Sequence, residues 1–353
     1  MSQSTINIAL ASDENFAPHL ASLVASILVN SRSDEQFSFY VLDGGIKPES
    51  KKKIQSLVSL KPFEIQFKAI DFGILENCPN IEPFSKNTYS RLLIPQMFTE
   101  LSRILYLDCD MIVLDSLAEL WNLDMQGKSL ACVKENKSGA DQSFQLKLIL
   151  ELDGISFFNA GMLLINLDKI RQEGSFRKVL EWTADHKPLV MWADQDGLNA
   201  IFRDDWIPVS DKWNYVSTMT NQSETRPTII HYLTYRKPWH VQYEGQFQSE
   251  YLKYRDMTPW KGMALQEVTP PQTTLKYKKG FAGLKEHVAD HVAYRLAKSS
   301  PWIKYLLWRN EQLQAREMQL KKAIERYHEV IQQAIELRSQ NEAEASDEEK
   351  QSS

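Results

Sequence analysis

Short apolar runs alternate with amphipathic stretches over the first hundred residues of the chain. Residues 6–12, 37–43 and 64–71 are apolar or alternating runs of strand length, which predicts three strands. The first two runs are separated by apolar residues at helical spacing, namely Leu20, Leu23, Val24, Ile27 and Leu28. A second amphipathic helix is predicted at 48–60. Strands that alternate with helices indicate crossover units and a mostly parallel sheet.

The same alternation continues to about residue 257. Further strands are predicted at 129–135, 157–167 and 228–233, and further helices at 88–101, 175–186 and 194–202. Pro95 is expected to kink or bound the first of these helices, since proline has no backbone donor. Because no internal repeat is visible, we predict one α/β domain over residues 1–257.

The composition changes after residue 257. Residues 258–310 mix basic with aromatic and aliphatic side chains, as in a helix that lies in a membrane interface. A helix that packs on a core and exposes a basic face has the same composition, and both interpretations stay open. Residues 311–341 approximate a heptad seam, which permits a coiled coil and a homo-oligomer. Residues 342–353 are acidic and are predicted to be disordered.

Composition excludes several classes of protein. Of the 353 residues, 43% are hydrophobic and 25% are charged, as in a soluble globular protein. The net charge of -5 and the lack of a basic recognition motif argue against a nucleic-acid partner. The three cysteines, Cys78, Cys109 and Cys132, have no metal-ligand spacing, so we expect free thiols in a reducing cytosol.

The sequence shows neither a signal peptide nor a membrane span. Its N-terminus lacks a basic start followed by an apolar core, and no apolar run reaches the roughly 18 residues that a span requires. We expect a cytoplasmic protein, attached peripherally to an anionic membrane face through residues 258–310.

Two carboxylates interrupt the apolar run of residues 103–115. Asp108 and Asp110 flank Cys109 within this run, although burying an unpaired carboxylate costs several kcal/mol. In an extended segment residues i and i+2 point to the same side. At the carboxyl end of a parallel strand the two aspartates would meet one ligand. A divalent cation, Mg²⁺ or Mn²⁺, would relieve their repulsion while Cys109 points away.

The aspartate pair has two alternatives to a metal site. An Asp-x-Asp tripeptide also occurs by chance. Haloacid-dehalogenase-like phosphatases place such a pair after an apolar strand, where the first aspartate, here Asp108, would be a phosphorylated nucleophile. In that family the pair lies near the start of the chain and is followed by Gly-Thr, whereas Met111 and Ile112 follow here.

Five segments and their order along the chain help to decide between a metal site and these alternatives. They are "YSRLLIP", "RILYLDCDMIVLDSLAELWNLD", "FNAGMLLINL", "DQDGLNAIF" and "HYLTYRKPW". Together they resemble glycosyltransferase family 8, which includes bacterial lipooligosaccharide galactosyltransferases. The resemblance covers residues 7–240. It implies a GT-A type, Rossmann-like mixed sheet flanked by helices, here with a helical C-terminal extension. It also implies a divalent metal, usually Mn²⁺, a UDP-hexose donor, retention of anomeric configuration, and a saccharide, glycolipid or glycoprotein acceptor.

The resemblance assigns a metal site and a diphosphate site. Asp108 and Asp110 match the family's metal-binding pair, and His231 matches the third protein ligand. An imidazole beside two carboxylates shifts preference from Mg²⁺ toward Mn²⁺. Lys237 matches the lysine that neutralises the diphosphate. Without its neighbours, His231 could equally be a structural histidine at a strand end.

The resemblance also assigns a nucleotide site at the end of the first strand. Ala11, Asp13 and Asn15 match residues that hold uridine through hydrogen bonds. Asp13 could instead cap the following helix. Neither GxGxxG nor GxxxxGK[ST] is present, so metal and lysine are expected to hold the phosphates.

Five further residues match positions around the transferred sugar: Arg91, Asn159, Ala160, Asp194 and Gln195. Arg91 could equally lie at the surface, and Asp194 could be a helix N-terminal charge. In the catalytic interpretation, Asp194 orients sugar hydroxyls and offsets positive charge. Gln195 has only a weakly nucleophilic amide, so we expect front-face attack by the acceptor hydroxyl instead of a double displacement. Gln195 is then a catalytic residue that stabilises the transition state.

The chain departs from the family at two positions. Thr234 stands where related enzymes have glycine, and a β-branched side chain is stiffer and bulkier there. Lys134 stands where the galactosyltransferases carry an acidic residue on the acceptor side. Lys134 means that the acceptor need not be the same. The heptad-like tail, with Thr234 as a sign of lost activity, leaves an alternative open, namely a catalytically weak assembly partner that has kept a transferase fold.

Overall fold

The computed structural model describes residues 5–81, 86–135, 156–187, 190, 192–217, 226–233 and 236–268. The chain divides into two compact units, Met1–Pro271 and Gln272–Ser353. Predictions for the tail beyond residue 268, including the heptad seam at 311–341 and the acidic end at 342–353, lie outside the described residues. The fold below is that of the first unit.

Ten strands form two sheets within the described residues. Their bounds are β1 Thr5–Ser12, β2 Gln36–Asp43, β3 Glu64–Ala69, β4 Arg103–Leu107, β5 Met111–Val113, β6 Leu130–Lys134, β7 Phe158–Asn166, β8 Trp206–Val209, β9 Tyr215–Val216 and β10 Ile229–His231. The large sheet has the order β3-β2-β1-β4-β7-β6-β8, and the small sheet has the order β5-β10-β9.

The large sheet is mixed. Strands β1 to β4 run parallel to one another, and β7 is antiparallel to both of its neighbours, β4 and β6. Crossover connections between the parallel strands carry helices, as expected for such units. This arrangement of a helix-flanked, mostly parallel mixed sheet confirms the predicted fold class.

Eight α-helices are described, with the bounds α1 Ala17–Asn30, α2 Pro48–Gln55, α3 Ile94–Met97, α4 Ala118–Trp121, α5 Leu167–Glu173, α6 Ser175–Asp185, α7 Asp194–Ile201 and α8 Gln248–Arg255. Short 3-10 helices cover Ser56–Ser59, Phe72–Leu75, Lys86–Leu93 and Asp211–Trp213. The helix predicted at 88–101 is therefore 3-10 over residues 88–93 and α over residues 94–97, and residues 98–101 are not helical. Pro95 lies in the first turn of α3, where its missing N–H has no helical partner to lose.

The large sheet separates two apolar cores, because side chains of a strand alternate between its faces. In β4, Leu105 and Leu107 belong to the core beneath α1, while Ile104 and Tyr106 belong to the core on the opposite face. A third cluster surrounds the small sheet and includes Tyr232 and residues of α8. The central strands are thus buried on both faces, which explains their continuous apolar sequences.

The apolar run of residues 103–115 is two strands and not one. β4 ends at Leu107 in the large sheet, and β5 begins at Met111 in the small sheet, where it pairs with β10. The aspartates lie in the turn between them. The charges therefore occupy a boundary between two sheets, and not the middle of a buried strand.

The described chain continues past the predicted boundary at residue 257. Gln266 pairs with His240, and Arg255 Nη1 donates to the carbonyl of Met263 at 2.7 Å. These contacts join residues 258–268 to the first unit. No helix of the described residues is long and apolar enough to cross a membrane.

Candidate functional site

The site lies where the strand order of the large sheet reverses. From β1 the chain first adds β2 and β3 on one side of the sheet and then places β4 on the other side of β1. Strands β1, β2 and β4 are parallel. Their carboxyl ends open at one edge, and ligands of open α/β sheets bind at such a switch point. Ala11 lies at the end of β1, and Asp108 directly follows β4.

Backbone hydrogen bonds fix the turn that carries the two aspartates. Asp108 N–H donates to the carbonyl of Gly161 at 2.8 Å, and Tyr232 N–H donates to the carbonyl of Asp110 at 3.0 Å. The thiol of Cys109 donates to the carbonyl of Ala11 at 3.1 Å. Cys109 is therefore directed at β1, as predicted, while the carboxylates on either side are left to the open edge.

Three potential metal ligands converge at this turn. One ligand atom each of Asp108, Asp110 and His231 lie within 4.8 Å of one another. His231 Nε2 is 3.3 Å from Asp110 Oδ1 and 4.0 Å from Asp108 Oδ2. Two carboxylates and an imidazole form a donor set that suits Mn²⁺ or Mg²⁺. The residues present therefore fit a divalent ion.

Asp110 is the more strongly ionised member of the pair. Lys237 Nζ lies 2.5 Å from Asp110 Oδ2 and donates to the carbonyl of Tyr232 at 2.7 Å. Burial alone would raise the pKa of Asp110, but Lys237 and His231 outweigh burial and bring that pKa below its usual range. Lys237, predicted to bind the diphosphate, is thus placed beside the metal ligands.

Asp108 is held by a different cation. Arg91 Nη2 lies 3.3 Å from Asp108 Oδ1, and the Tyr106 hydroxyl donates to the same oxygen at 2.7 Å. Burial raises the pKa of Asp108; Arg91 opposes this rise and Asp110 adds to it, so the pKa stays above its usual value. A divalent ion would favour the charged form of both carboxylates.

Arg91 joins the metal ligands to the predicted sugar site. It is only 4% exposed, which excludes a surface role. Its Nη1 donates to the carbonyl of Ala160, and its Nε lies 2.9 Å from Asp194 Oδ2. One guanidinium therefore contacts both Asp108 and Asp194.

Asp194 begins α7 and is fully buried. Within the described residues neither of its oxygens is aligned for a hydrogen bond, despite the ion pair with Arg91. Burial raises the pKa of Asp194 to about 7, against the lowering effect of Arg91. The preceding residue, Ala193, has a φ of 52° and a ψ of -126°, a conformation that costs a non-glycine residue free energy.

The remaining predicted sugar residues lie along β7 and at the start of α7. Gln195 Oε1 accepts a hydrogen bond from Ala160 N–H at 2.9 Å, and Asn159 Oδ1 accepts one from Gly161 N–H at 2.9 Å. The structure therefore brings Arg91, Asn159, Ala160, Asp194 and Gln195 into one connected group. Their contact with a sugar stays a prediction.

The predicted nucleotide residues lie at the end of β1 and the start of α1. Asp13 Oδ1 accepts a hydrogen bond from Phe16 N–H at 3.0 Å, in the turn before the helix. The helix start itself, with Phe16 as its N-cap residue, has no side-chain cap, so Asp13 is not the cap. Asn15 is exposed. The bond to Phe16 and nucleotide binding are compatible, because a carboxylate has a second oxygen.

The structure describes one of the two positions at which the chain departs from the family. Lys134 is an exposed residue at the end of β6, on a strand that reaches the site edge beside β7. Thr234 lies outside the described residues.

Two further residues support the site: Asn214 had no sequence signal, whereas Gly161 stands in "FNAGMLLINL", where small residues predict a close approach to the backbone. Asn214 accepts a hydrogen bond from His231 through its Oδ1, at 2.8 Å from Nδ1, and Gly161 lies against the same ring. A Cβ built on Gly161 would lie 2.4 Å from His231 Cε1. The small residues of "FNAG" leave room beside the β7 backbone. The group that occupies this room at Gly161 is the imidazole of His231.

Comparisons with known proteins agree with this geometry. The profile of Glycosyl transferase family 8 matches residues 7–242. General stress protein A of Bacillus subtilis (strain 168) is 29% identical over 274 residues, which cover 72% of this chain and 94% of that protein. Lipopolysaccharide 1,3-galactosyltransferase of Salmonella typhimurium is 26% identical over 305 residues, which cover 82% of this chain and 89% of that protein.

A solved structure with a similar fold has been captured with ligands. The galactosyltransferase LgtC, in complex with donor and acceptor sugar analogs, superimposes with a TM-score of 0.65 at 25% identity. The match covers 77% of this chain and 100% of that chain.

Proposed function

The chain belongs to glycosyltransferase family 8, and from this premise we propose that it is a retaining, metal-dependent hexosyltransferase. It moves galactose or glucose from a UDP-sugar to a saccharide or glycoconjugate acceptor. The observation that carries the proposal is the convergence of Asp108, Asp110 and His231 within 4.8 Å at the switch point of the sheet. A metal bound there supplies a Lewis acid to the departing diphosphate.

Lys237 would neutralise the charge that develops on the leaving group. Its ammonium lies beside Asp110 at 2.5 Å, so it is already at the metal-ligand edge where a diphosphate would lie. Cations aimed at a developing negative charge stabilise the transition state more than the ground state.

Front-face displacement accounts for the residues near the sugar. The bond between the anomeric carbon and UDP breaks, the acceptor oxygen bonds to that carbon on the same face, and the acceptor proton leaves with the phosphate oxygen. Gln195 carries a neutral amide, a weak nucleophile, and its Oε1 already accepts a hydrogen bond from Ala160. Asp194 would orient sugar hydroxyls and offset positive charge at the anomeric carbon.

The proposed donor is a UDP-hexose, and the proposed acceptor is defined only by its class. A hexose donor is supported by relatives named as hexosyltransferases, including the galactosyltransferase of Salmonella typhimurium. The acceptor is a saccharide, glycolipid or glycoprotein. Since Lys134 replaces an acidic residue on the acceptor side of the related enzymes, this chain need not share their acceptor.

Release of UDP from UDP-hexoses tests the proposal. Wild-type protein with Mn²⁺ should release UDP from UDP-glucose or UDP-galactose, and EDTA should abolish the release. Asp110→Asn should lower the rate at least about a hundredfold, because the loss of Lewis-acid assistance is worth several kcal/mol. Asp124→Asn, at an exposed carboxylate that bonds Gln126 N–H, is the matched control.

Three results would contradict the proposal. UDP release that is unchanged by EDTA would exclude the metal mechanism. No release from any UDP-hexose would favour the assembly-partner alternative. Phosphate release from a phosphomonoester, with trapping at Asp108, would instead support the phosphatase alternative.

A further inference from the structure

His231 is held by its second ring nitrogen. The side chain is buried, with 1% exposed, and its Nδ1 lies 2.8 Å from Asn214 Oδ1. The opposite nitrogen, Nε2, faces Asp110 Oδ1 at 3.3 Å. Which nitrogen carries the proton therefore decides whether His231 offers a lone pair or a hydrogen to the carboxylates.

A short chain of hydrogen bonds determines which ring nitrogen of His231 carries the proton. Gly161 N–H can only donate, so the Asn159 atom that it contacts at 2.9 Å is the carbonyl oxygen. Asn214 Nδ2 donates to the same oxygen at 2.8 Å, so its Oδ1 is the atom that faces His231. That oxygen accepts the hydrogen of Nδ1.

With its hydrogen on Nδ1, the ring has its unshared electron pair on Nε2, the nitrogen that faces the carboxylate of Asp110. A lone pair facing a carboxylate oxygen at 3.3 Å is repulsive unless a cation lies between them. The hydrogen-bond chain thus prepares the ring as a ligand. It ends at Asn159, which lies among the predicted sugar residues.

We propose that Asn214 is a positioning residue that fixes the metal-binding tautomer of His231 and links the metal site to Asn159 on the sugar side. Asn214 has 3% of its surface exposed and is placed by the 3-10 helix Asp211–Trp213. The inference rests on the proposed function, because it needs a metal at His231 and a sugar near Asn159. Partners that orient a histidine ligand change metal affinity without touching the ion.

Two substitutions separate the two bonds of Asn214. Asn214→Leu has a similar size and loses both bonds. Asn214→Asp keeps an acceptor for His231 Nδ1–H but cannot donate to Asn159, whose oxygen stays engaged by Gly161. Asn214→Asp therefore keeps the orientation of the His231 ring but loses the hydrogen bond to Asn159.

Mn²⁺ affinity and sugar preference are the two measurements. Mn²⁺ binding with UDP present is followed by the electron paramagnetic resonance of free Mn²⁺, and the affinities for UDP and UDP-hexose are compared by calorimetry. Asn214→Leu should weaken Mn²⁺ binding about 10- to 100-fold, and Asn214→Asp should weaken it less. Both variants should lose the extra affinity for UDP-hexose over UDP.

Asn166→Ala is the matched control. Asn166 also uses a side-chain amide, to cap α5 by accepting a hydrogen bond from Lys169 N–H at 3.1 Å, and it lies at the opposite end of β7 from Asn159. It should lower thermal stability and leave Mn²⁺ affinity and sugar preference unchanged.

The outcomes distinguish this inference from the proposed function. Unchanged Mn²⁺ affinity in Asn214→Leu, with wild type binding Mn²⁺, overturns the inference alone. A wild-type protein that binds no Mn²⁺ with UDP overturns the proposed function and the inference with it. If Asn214→Leu fails to fold, Asn214→Asp decides: sugar preference equal to wild type overturns the link.

Discussion

His19 shows how burial sets the chemistry of one side chain. The ring is 2% exposed, stacks on Trp239 with 3.5 Å between ring centroids, and its Nδ1 lies 2.7 Å from the Tyr251 hydroxyl. Burial lowers the pKa of His19 from 6.5 to about 3, although Asp110 acts in the opposite direction. The folded protein therefore keeps this imidazole neutral.

His19 should make folding sensitive to acid. Because its pKa is lower in the folded state, its stabilising contribution is complete above about pH 6.5 and is lost as the pH falls toward 3. Between pH 7 and 5, wild type should lose about 2 kcal/mol more unfolding free energy than His19→Phe. Urea unfolding at several pH values measures this difference.

His186→Phe is the control for replacing a stacked imidazole. His186 lies on Trp182, with 4.4 Å between ring centroids, but it is only half-buried. It measures what replacing a stacked imidazole by phenylalanine does to the free energy of unfolding outside a fully buried site. Parallel pH dependences for wild type and His19→Phe would show that folding does not lower the pKa of His19, contrary to the prediction.

At the residue scale, sequence could predict the candidate ligands that the structure brings together, but not the residues that support them. Asp108, Asp110 and His231 stand in motifs that resemble a family, so each could be named in advance. Asn214 stands in no motif, and its bond to Asn159 joins positions 55 residues apart. Only the folded chain brings such partners together, so their roles follow from contacts and not from local pattern.

At the element scale, the long elements were predictable; among the short ones, β10 was predicted and several others were not. The strand expected at 37–43 is observed as Gln36–Asp43, and the helix expected at 175–186 as Ser175–Asp185. Two-residue β9 and the mostly polar helix α8 gave no periodic signal. Apolar periodicity at 88–101 could not distinguish a 3-10 from an α-helix, since both turn one face inward.

The division of residues 103–115 between two sheets was also hidden. β4 and β5 are both largely apolar because both are buried, and sequence does not say which sheet a buried strand joins. The aspartate pair was the one local sign of a boundary, because charges avoid the centre of a buried strand.

The start of α7 should tolerate side chains poorly. Ala193 has a φ of 52° and is fully buried, and a β-branched residue is strained in that conformation. Ala193→Val should lower the free energy of unfolding by about 1–3 kcal/mol and displace Asp194. Urea titration measures the first effect.

Ala184→Val provides the comparison, because Ala184 lies in the regular helix α6 and is only half-buried. Helix propensity limits its cost to less than about 1 kcal/mol. Equal losses in the two variants would mean that the backbone at Ala193 imposes no special constraint.

At the scale of the whole molecule, sequence predicted the fold class of the α/β unit but left two interpretations of the tail. The fold class was predictable because alternation of strands and helices extends over the domain and does not depend on exact boundaries. The tail, residues 258–310 in the predicted division, has a composition compatible with two arrangements. We propose that it attaches the protein peripherally to the cytoplasmic face of a membrane.

Deleting residues 276–309 should abolish binding to anionic vesicles. Each basic side chain near an anionic surface contributes about 1 kcal/mol, so full-length protein should float with phosphatidylserine vesicles and release from them at high salt. Neutral phosphatidylcholine vesicles are the control. Equal flotation of both proteins would contradict membrane attachment, and UDP release should be the same in both.

The position of Asp108 and His231 has a mechanical consequence. One follows a strand of the large sheet, and the other ends a strand of the small sheet. An ion held by both would crosslink the two sheets, and its binding free energy would be added to the resistance of the domain to heat. The supply of the divalent ion would then govern how long the folded enzyme lasts as well as how fast it works.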